Sequence, residues 1–492
     1  MDWLDWLRFE KARLNMYKPK MEPRKEQVEA LARLQGKQAF ALLMAMRTGK
    51  TKVALDDFGR LELAGNAQAL LVIAPGGVYK TWVRAWNEHV ATDLYTRAKV
   101  LVWESDERHT VNGKERLGIW QAHNGPRVLL LNVEALSRVQ DARDLCIWLL
   151  RTCKTMVVVD ESTCIKGYKT RRAKFVTQQL GPMAKYRRIL SGLPTPRSPL
   201  DLFMQFYFLN PNIFGTRNYF NFRMRYAVVQ PKMFGGRTVQ VVVGYKNQHH
   251  LRELIAPYSY RVEFRAKIPS TYTIENVGLT EEQQSAYARM KQFATFEIAK
   301  ERHVTATIVI TQMLKLHQIL CGYVKDEEGK EHTLPELRTK KLLEVLNRGG
   351  GKAVVWCSYD HTMRKLTEQL VEEYGEPAIA RFWGGNERTR EAEERRFMTD
   401  PDCWCMLATP NAGGKGRTWD VADLVVYYSS TNDLELRDQS EQRVQGVDKK
   451  RQVDYVDLIA PGTVEEKILQ ALRKKINLAS IITGSDWKSW VV

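Results

Sequence analysis

Leu42-Leu43-Met44-Ala45-Met46-Arg47-Thr48-Gly49-Lys50-Thr51 carries an apolar run into a short turn that closes on Gly-Lys-Thr. That order puts a strand, a backbone loop and a helix start in succession, the local arrangement that holds nucleotide phosphates. Amide N–H groups of the loop, including those around Thr48 and Gly49, and the positive end of the helix dipole favour an anion there. Lys50 is expected to reach the β- and γ-phosphates of ATP, and the Thr51 hydroxyl to ligate Mg2+. The strict phosphate-loop pattern has glycine where this chain has Met44. What lies downstream therefore decides the reading.

Downstream, Thr155-Met156-Val157-Val158-Val159-Asp160-Glu161 reads as a buried strand that empties into two adjacent carboxylates. Placed in the same sheet as the phosphate loop, that pair supplies what ATP hydrolysis needs. Asp160 would hold Mg2+, directly or through water, and Glu161 would orient and deprotonate the attacking water. A solvated acidic turn is the simpler alternative for an isolated Asp-Glu, but the upstream loop argues against it.

With 492 residues the chain exceeds one ordinary core, and two or three domains are expected. No run approaches the ~20 apolar residues of a membrane span, and the acidic start Met1-Asp2-Trp3-Leu4-Asp5-Trp6 lacks a signal-peptide design. A cytoplasmic setting, in a bacterial or phage-infected cell, is the expectation. Seven scattered cysteines read as free thiols in a reducing compartment. The net charge of +18 favours a polyanionic partner, most simply nucleic acid.

Strand-then-helix alternation appears twice and predicts an α/β fold with mostly parallel sheets. The first segment, residues 23–209, has strands at 69–74, 128–132 and 156–160 and a helix over 25–34. The second, residues 340–484, has strands at 353–357, 403–408, 424–429 and 454–459. Residues 210–339 between them are rich in aromatic and basic side chains, with a β-like stretch at 237–243 and a long amphipathic helix over 281–297. Residues 1–22 and 485–492 flank this core. Trp82 and Trp86, four apart on a probable helix, read as core residues rather than base-stacking platforms.

Together these residues resemble the superfamily-two helicases, in their Swi/Snf-like translocase branch. Asp160-Glu161-Ser162-Thr163 with Ile165-Lys166 is similar to the second motif of that branch. Arg24-Lys25-Glu26-Gln27 resembles the upstream glutamine motif, with Gln27 on the adenine edge. Ile73-Ala74-Pro75 with Trp82, and Leu131-Asn132-Val133-Glu134-Ala135-Leu136, resemble the next two motifs. Leu190-Ser191-Gly192-Leu193-Pro194 resembles the third, in which Ser191 and Gly192 would couple ATP state to DNA contact. Val354-Val355-Trp356-Cys357-Ser358-Tyr359 and Gly413-Gly414-Lys415-Gly416-Arg417-Thr418-Trp419 resemble motifs four and five, the latter placing Gly416 at the nucleotide.

The resemblance implies two RecA-like parallel-sheet lobes closing on ATP and Mg2+, with helical protrusions inserted between them and duplex DNA lying across both. Strand tracking in such a fold uses backbone amides and small polar groups. The candidates are Asn132, Ser137 and Lys166 in the first lobe and Ser358, Gly384 and Gly413 in the second. Lys169, Arg171, Arg172 and Lys174 extend Lys166 into a basic cluster that is either a phosphate contact or a solvated helix face. His317 sits among apolar neighbours in the helix before the second lobe, where packing outweighs a ligand role.

One position departs from the pattern. In Gln439-Ser440-Glu441-Gln442-Arg443, Arg443 takes the first arginine place of the sixth motif, and Gly446 falls where the second arginine, the finger, belongs. Either Lys449, Lys450 or Arg451 substitutes, or Arg443 carries the transition-state charge alone, or hydrolysis is weak. The intact Lys50, Asp160 and Glu161 favour the first two. The expected activity is a DNA-dependent ATPase that translocates on duplex or branched DNA as a compact, monomeric motor, with replication or recombination proteins as partners. A strand-separating DNA or RNA helicase is one alternative, and a hydrolysis-deficient nucleic-acid-binding adaptor is another.

Overall fold

Runs such as Ala-Leu-Leu-Val-Ile-Ala at 69–74 are apolar on both faces, which suits parallel strands covered by helices on both sides. The computed structural model describes residues 17–473, apart from 77, 80, 108, 197, 235–236, 264–267, 301–305, 327, 414–417, 432 and 446–448. The chain divides into two compact units, Met1–Tyr226 with Lys246–Phe264, and Ala227–Tyr245 with Arg265–Val492.

In the first unit, β1 (Ala39–Met44), β2 (Ala69–Ala74), β3 (Lys99–Val102), β4 (Arg127–Asn132), β5 (Thr155–Asp160) and β6 (Tyr186–Leu190) form the sheet. An antiparallel hairpin follows, β7 (Ala227–Phe234) with β8 (Arg237–Tyr245), and belongs to the second unit. The chain then returns through β9 (Ser259–Val262). The sheet order is β3-β4-β2-β5-β6-β1-β9, with every pairing parallel. Alternate residues Leu42, Met44, Leu70, Val72, Val128, Leu130, Met156 and Val158 share one core with Val53, Phe58, Trp82 and Trp86 of the helices Lys50–Leu63 and Thr81–His89. Both tryptophans are thus core residues, as their spacing implies. Arg188 on β6 fastens the helix that follows the loop: its Nε donates to Asp57 at 2.8 Å, and its other nitrogens donate to the carbonyls of Lys37 and Gln38.

The second unit has β10 (Thr271–Asn276), a small hairpin of β11 (Tyr323–Lys325) and β12 (Glu331–Thr333), then β13 (Lys352–Trp356), β14 (Ile379–Phe382), β15 (Cys405–Ala408), β16 (Ala422–Tyr427) and β17 (Asp454–Ile459). Its sheet runs β10-β17-β16-β13-β15-β14, again parallel throughout. One face packs Val355, Leu407 and Val426 against Leu342, Leu366 and Leu370 of flanking helices. The other packs Trp356 on Trp419, ring centroids 5.3 Å apart. The two RecA-like lobes implied by the sequence are these two sheets with their helices.

Residues 210–339 are not helical throughout. The helices Glu281–Lys300 and Ala306–Leu320 lie there, but β9 extends the first sheet beside β1 and β10 extends the second beside β17. Neither short strand stands out by pattern: Ser-Tyr-Arg-Val and Thr-Tyr-Thr-Ile-Glu-Asn have polar outer residues because they are edge strands, buried on fewer sides. All seven cysteines are free, and all but Cys164 are buried. Among the described residues no helix is long and apolar enough to cross a membrane.

Candidate active site

Parallel strands deliver their carboxyl ends to one edge of the sheet, and in open α/β sheets ligands bind there. In the first unit that edge collects the loop after β1, the turn after β2, Asn132 closing β4, Asp160 closing β5 and Ser191 following β6. Central strands β5, β6 and β1 are consecutive neighbours, which brings Lys50, Asp160, Glu161, Ser191 and Gly192 together from distant parts of the chain.

The loop Ala45–Gly49 turns through two left-handed residues, Arg47 at φ 63° and Gly49 at φ 85°. Gly49 is the N-cap of the helix Lys50–Leu63. A Cβ built there would stand 2.0 Å from Gln27 Nε2, so close approach as well as φ requires glycine. Thr48 donates its hydroxyl to the Ala45 carbonyl at 2.7 Å, which bends the loop from within. Gln27 is buried against this loop: its Nε2 donates to the Thr48 carbonyl at 3.1 Å and its Oε1 accepts from the Arg24 amide at 2.9 Å. Each amide atom retains a second donor or acceptor position, so a nucleobase edge remains within its capacity.

Lys50 is 8% exposed, and its ammonium has no hydrogen-bond partner among the described residues. Its nearest counter-charge is Glu161 Oε1 at 3.7 Å. Glu161 occupies the left-handed region at φ 45°, an uncommon conformation for a side chain of this size and one that concentrates at functional sites. The Asp160 carboxylate is held at both oxygens. Oδ1 accepts from the Glu161 amide at 2.9 Å, and Oδ2 accepts from the Trp82 indole Nε1 at 2.9 Å. Burial, reinforced by the adjoining Glu161 charge, pushes the Asp160 carboxyl above the usual aspartate range, against the opposing influence of Lys50, the indole and the amide. A buried ammonium with no hydrogen-bond partner among the described residues, two carboxylates close by and Thr51 next in sequence make a donor set that fits a magnesium-bound triphosphate.

The Ser191–Gly192 segment lies against the phosphate loop. The Ser191 amide donates to the Leu42 carbonyl, and a Cβ on Gly192 would come 3.3 Å from the Met46 nitrogen. The buried Ser191 hydroxyl also has no partner among the described residues. Gln205, which the sequence reading did not single out, ties the strands together: Ser162 Oγ donates to its Oε1 at 2.6 Å, and its Nε2 donates to the carbonyls of Pro194 and Asp201. Nothing in a helix reading Leu-Phe-Met-Gln-Phe-Tyr-Phe-Leu distinguishes that glutamine beyond its being polar in an apolar run.

At the same edge, Asn132 Oδ1 accepts from the Ala135 amide at 2.7 Å, starting the short helix that carries Ser137. Lys166 is half-buried shortly after β5, while Lys169, Arg171 and Lys174 are exposed and Arg172 is half-buried. Tyr168, within that basic run, stacks on Tyr219 with ring centroids 3.8 Å apart.

In the second unit, Ser358, Gly384 and Gly413 follow β13, β14 and β15, three adjacent parallel strands, so all three fall at one edge. The Ser358 hydroxyl donates to the Ser429 carbonyl at 3.0 Å and its amide to Ser429 Oγ at 2.8 Å. Arg443 is buried near the end of the helix Leu434–Val444. Gly416 and Gly446 lie outside the described residues. Lys449 donates to the Asp420 carbonyl at 2.7 Å and pairs with Asp423, as does the exposed Arg451.

Several known proteins are similar to this chain over most of its length. A protein named as an uncharacterised ATP-dependent helicase of Mycoplasma genitalium is 22% identical over 470 residues, 92% of this chain and 41% of that protein. A DNA repair and recombination protein RAD54-like of Drosophila ananassae is 22% identical, across 85% of this chain and 56% of its own. The chain spans 34%, 20% and 41% of the length of the first three curated relatives it matches. Among solved structures, the Sulfolobus solfataricus SWI2/SNF2 ATPase core in complex with dsDNA matches over 96% of this chain and 95% of that one, at 21% identity and a TM-score of 0.42. A family model described as SNF2-related domain matches residues 12–324, well over half of the sequence. The chain belongs to the SNF2-related domain family.

Proposed function

We propose that this chain is an ATP-driven motor that moves along duplex or branched DNA and remodels it or the proteins bound to it. The observation that carries the reading is the Lys50 ammonium, buried with no hydrogen-bond partner among the described residues and set beside Asp160 and Glu161. Burying a charge so incompletely served costs free energy that only an anionic ligand returns. The names of the relatives, which include a DNA annealing helicase and endonuclease and a RAD54-like repair protein, support DNA as the track.

In this reading Lys50 and the amides of the Thr48–Thr51 turn bind and orient the triphosphate, and Gln27 meets the adenine. Thr51 and Asp160 would hold Mg2+, which when bound neutralises charge developing on the phosphate oxygens. Glu161 takes a proton from the attacking water, its carboxylate kept at the sheet edge by the left-handed turn. Arg443 and Gly416 serve nucleotide binding in the same reading, and Lys449, Lys450 or Arg451 substitutes for the arginine that the sixth motif has where this chain has Gly446. Asn132, Ser137, Lys166, Ser358, Gly384 and Gly413 face the sugar–phosphate backbone. Contacts of that kind read no base sequence and predict binding that weakens steeply with salt.

A single-turnover ATPase assay across linear duplex, forked and four-way DNA, single strands and RNA tests this. Duplex or branched DNA should stimulate phosphate release most. Strongest stimulation by RNA would replace the track. ATP binding without DNA-dependent release in the wild type would favour an adaptor that retains the motor fold, which the glycine at position 446 also supports.

A further inference from the structure

Trp82 has a job beyond filling the core. Its indole is 1% exposed, and its one polar atom points at Asp160 Oδ2, 2.9 Å away across 78 positions of sequence. Because the Glu161 amide takes the other oxygen, the two donors together fix the plane of the Asp160 carboxylate. Only lone pairs directed away from the indole and the amide remain for a further ligand.

Trp82 is also the second residue of its helix, and the helix is bonded tightly to the turn before it. The Thr81 amide and hydroxyl both reach the Val78 carbonyl, the Trp82 amide reaches Tyr79, and the Val78 amide reaches Pro75. The far side of that turn is tied to the Asn132–Ser137 loop, where the Gly76 amide donates to Glu134 Oε2 at 3.1 Å.

We infer that Trp82 is a positioning residue: through its Nε1–H it sets the Asp160 carboxylate for the nucleotide's divalent cation. The inference rests on the motor reading for the identity of the cation. A partner held at the second layer of a metal site fixes the ligand's direction, and its removal costs roughly 10- to 100-fold in metal affinity where such partners have been removed.

Trp82→Phe tests it, since phenylalanine keeps an aromatic ring in the core while it deletes the donor and part of the indole's volume, and the Asp160→Asn background separates the two effects. Titration of Mn2+ into the full chain with ADP present, followed by electron paramagnetic resonance, should show affinity weakened roughly tenfold or more. Metal-free ADP binding and the melting temperature should stay close to wild type. In an Asp160→Asn background, Trp82→Phe should change Mn2+ affinity no further. Unchanged Mn2+ affinity in Trp82→Phe would overturn the proposal, as would an equal loss in the Asp160→Asn background. The Mn2+ titration does not depend on turnover, so a wild type that binds Mn2+ with ADP and yet fails to hydrolyse ATP would sink the motor reading alone.

Discussion

The two units each bury a carboxylate next to a cation, and they do so to opposite effect. In the second, Glu465 is bonded at one oxygen: Arg338 Nη2 donates to Oε2 at 2.6 Å, the Ala460 amide donates to the same oxygen, and His317 Nε2 makes an ion-pair contact with Oε1 at 3.1 Å. Arg338 further donates to the carbonyls of Tyr428 and Leu458, and His317 Nδ1 meets the Tyr359 hydroxyl at 2.8 Å. Burial alone would push the Glu465 carboxyl up, but Arg338 and His317 outweigh it and hold it down to about 2. In the first unit Asp160 is pushed upward, and Lys50, with no hydrogen-bond partner among the described residues, has a carboxylate 3.7 Å away. A buried carboxylate bonded to an arginine stabilises a fold, whereas a buried ammonium short of hydrogen bonds favours an anionic ligand.

The comparison also explains why His317, Cys321 and Glu465, whose ligand atoms lie within 4.8 Å of one another, are better read as structure than as a metal centre. Arg338 already neutralises Glu465, and burial pushes the Cys321 thiol upward, away from the thiolate a metal would need. A divalent ion there would add charge beside a guanidinium.

The sharpest way to break the contrast is at Lys50 and Glu161. Lys50→Ala and Glu161→Gln should each lower DNA-stimulated hydrolysis by at least about a hundredfold, the scale of losing one preorganised charge-stabilising group. Salt-sensitive DNA binding and the melting temperature should be little changed. Turnover near wild type in either variant would remove that residue from the site. Arg338→Met should instead cost about 3–5 kcal/mol of stability in denaturant unfolding, because Glu465 is left buried and unpaired. Adding Glu465→Leu should recover more than half of that loss; a double variant as unstable as the single would contradict the network.

Acid sharpens the same comparison. A carboxyl whose folded value lies below its unfolded value of 4.5 contributes stability that is present above pH 4.5 and lost as pH falls through about 2. The full contribution is of order 3 kcal/mol. Wild type and Glu465→Gln should therefore converge in stability across that window, and a constant difference would refute the assignment. Smallest of all, Gln205→Leu should cost about 1–3 kcal/mol by leaving the Pro194 and Asp201 carbonyls without their side-chain donor and the Ser162 hydroxyl without its acceptor. Its reduction of DNA stimulation should exceed its effect on basal hydrolysis; an equal effect on both would make the residue purely structural.

The phosphate loop and the Asp-Glu strand end were legible because each is a local pattern: a helix start after a turn, or an apolar run that ends in charge. Helix Lys25–Leu34 and strand Asp454–Ile459 coincide with their predicted bounds for the same reason. Gln205 was not legible. Its partners Ser162 and Pro194 come from other segments, and no periodicity marks a glutamine for a contact 43 positions away. Likewise β9 and β10 were hidden inside a stretch whose composition is basic and aromatic, since edge strands need less apolar sequence than central ones.

The sequence by itself determined which short segments could hold a phosphate, end a buried strand or start a helix, because those depend on backbone conformation over a few residues. It also determined that the chain carries enough positive charge to seek a polyanion. The order of strands in the two sheets was decided only in three dimensions, and with it which distant residues meet. That order set Trp82 against Asp160, closed Arg338 on Glu465 and left Lys50 without a hydrogen-bond partner among the described residues. Such pairings arise from the packing of whole strands and helices, and single-chain periodicity carries no record of which neighbour lies alongside.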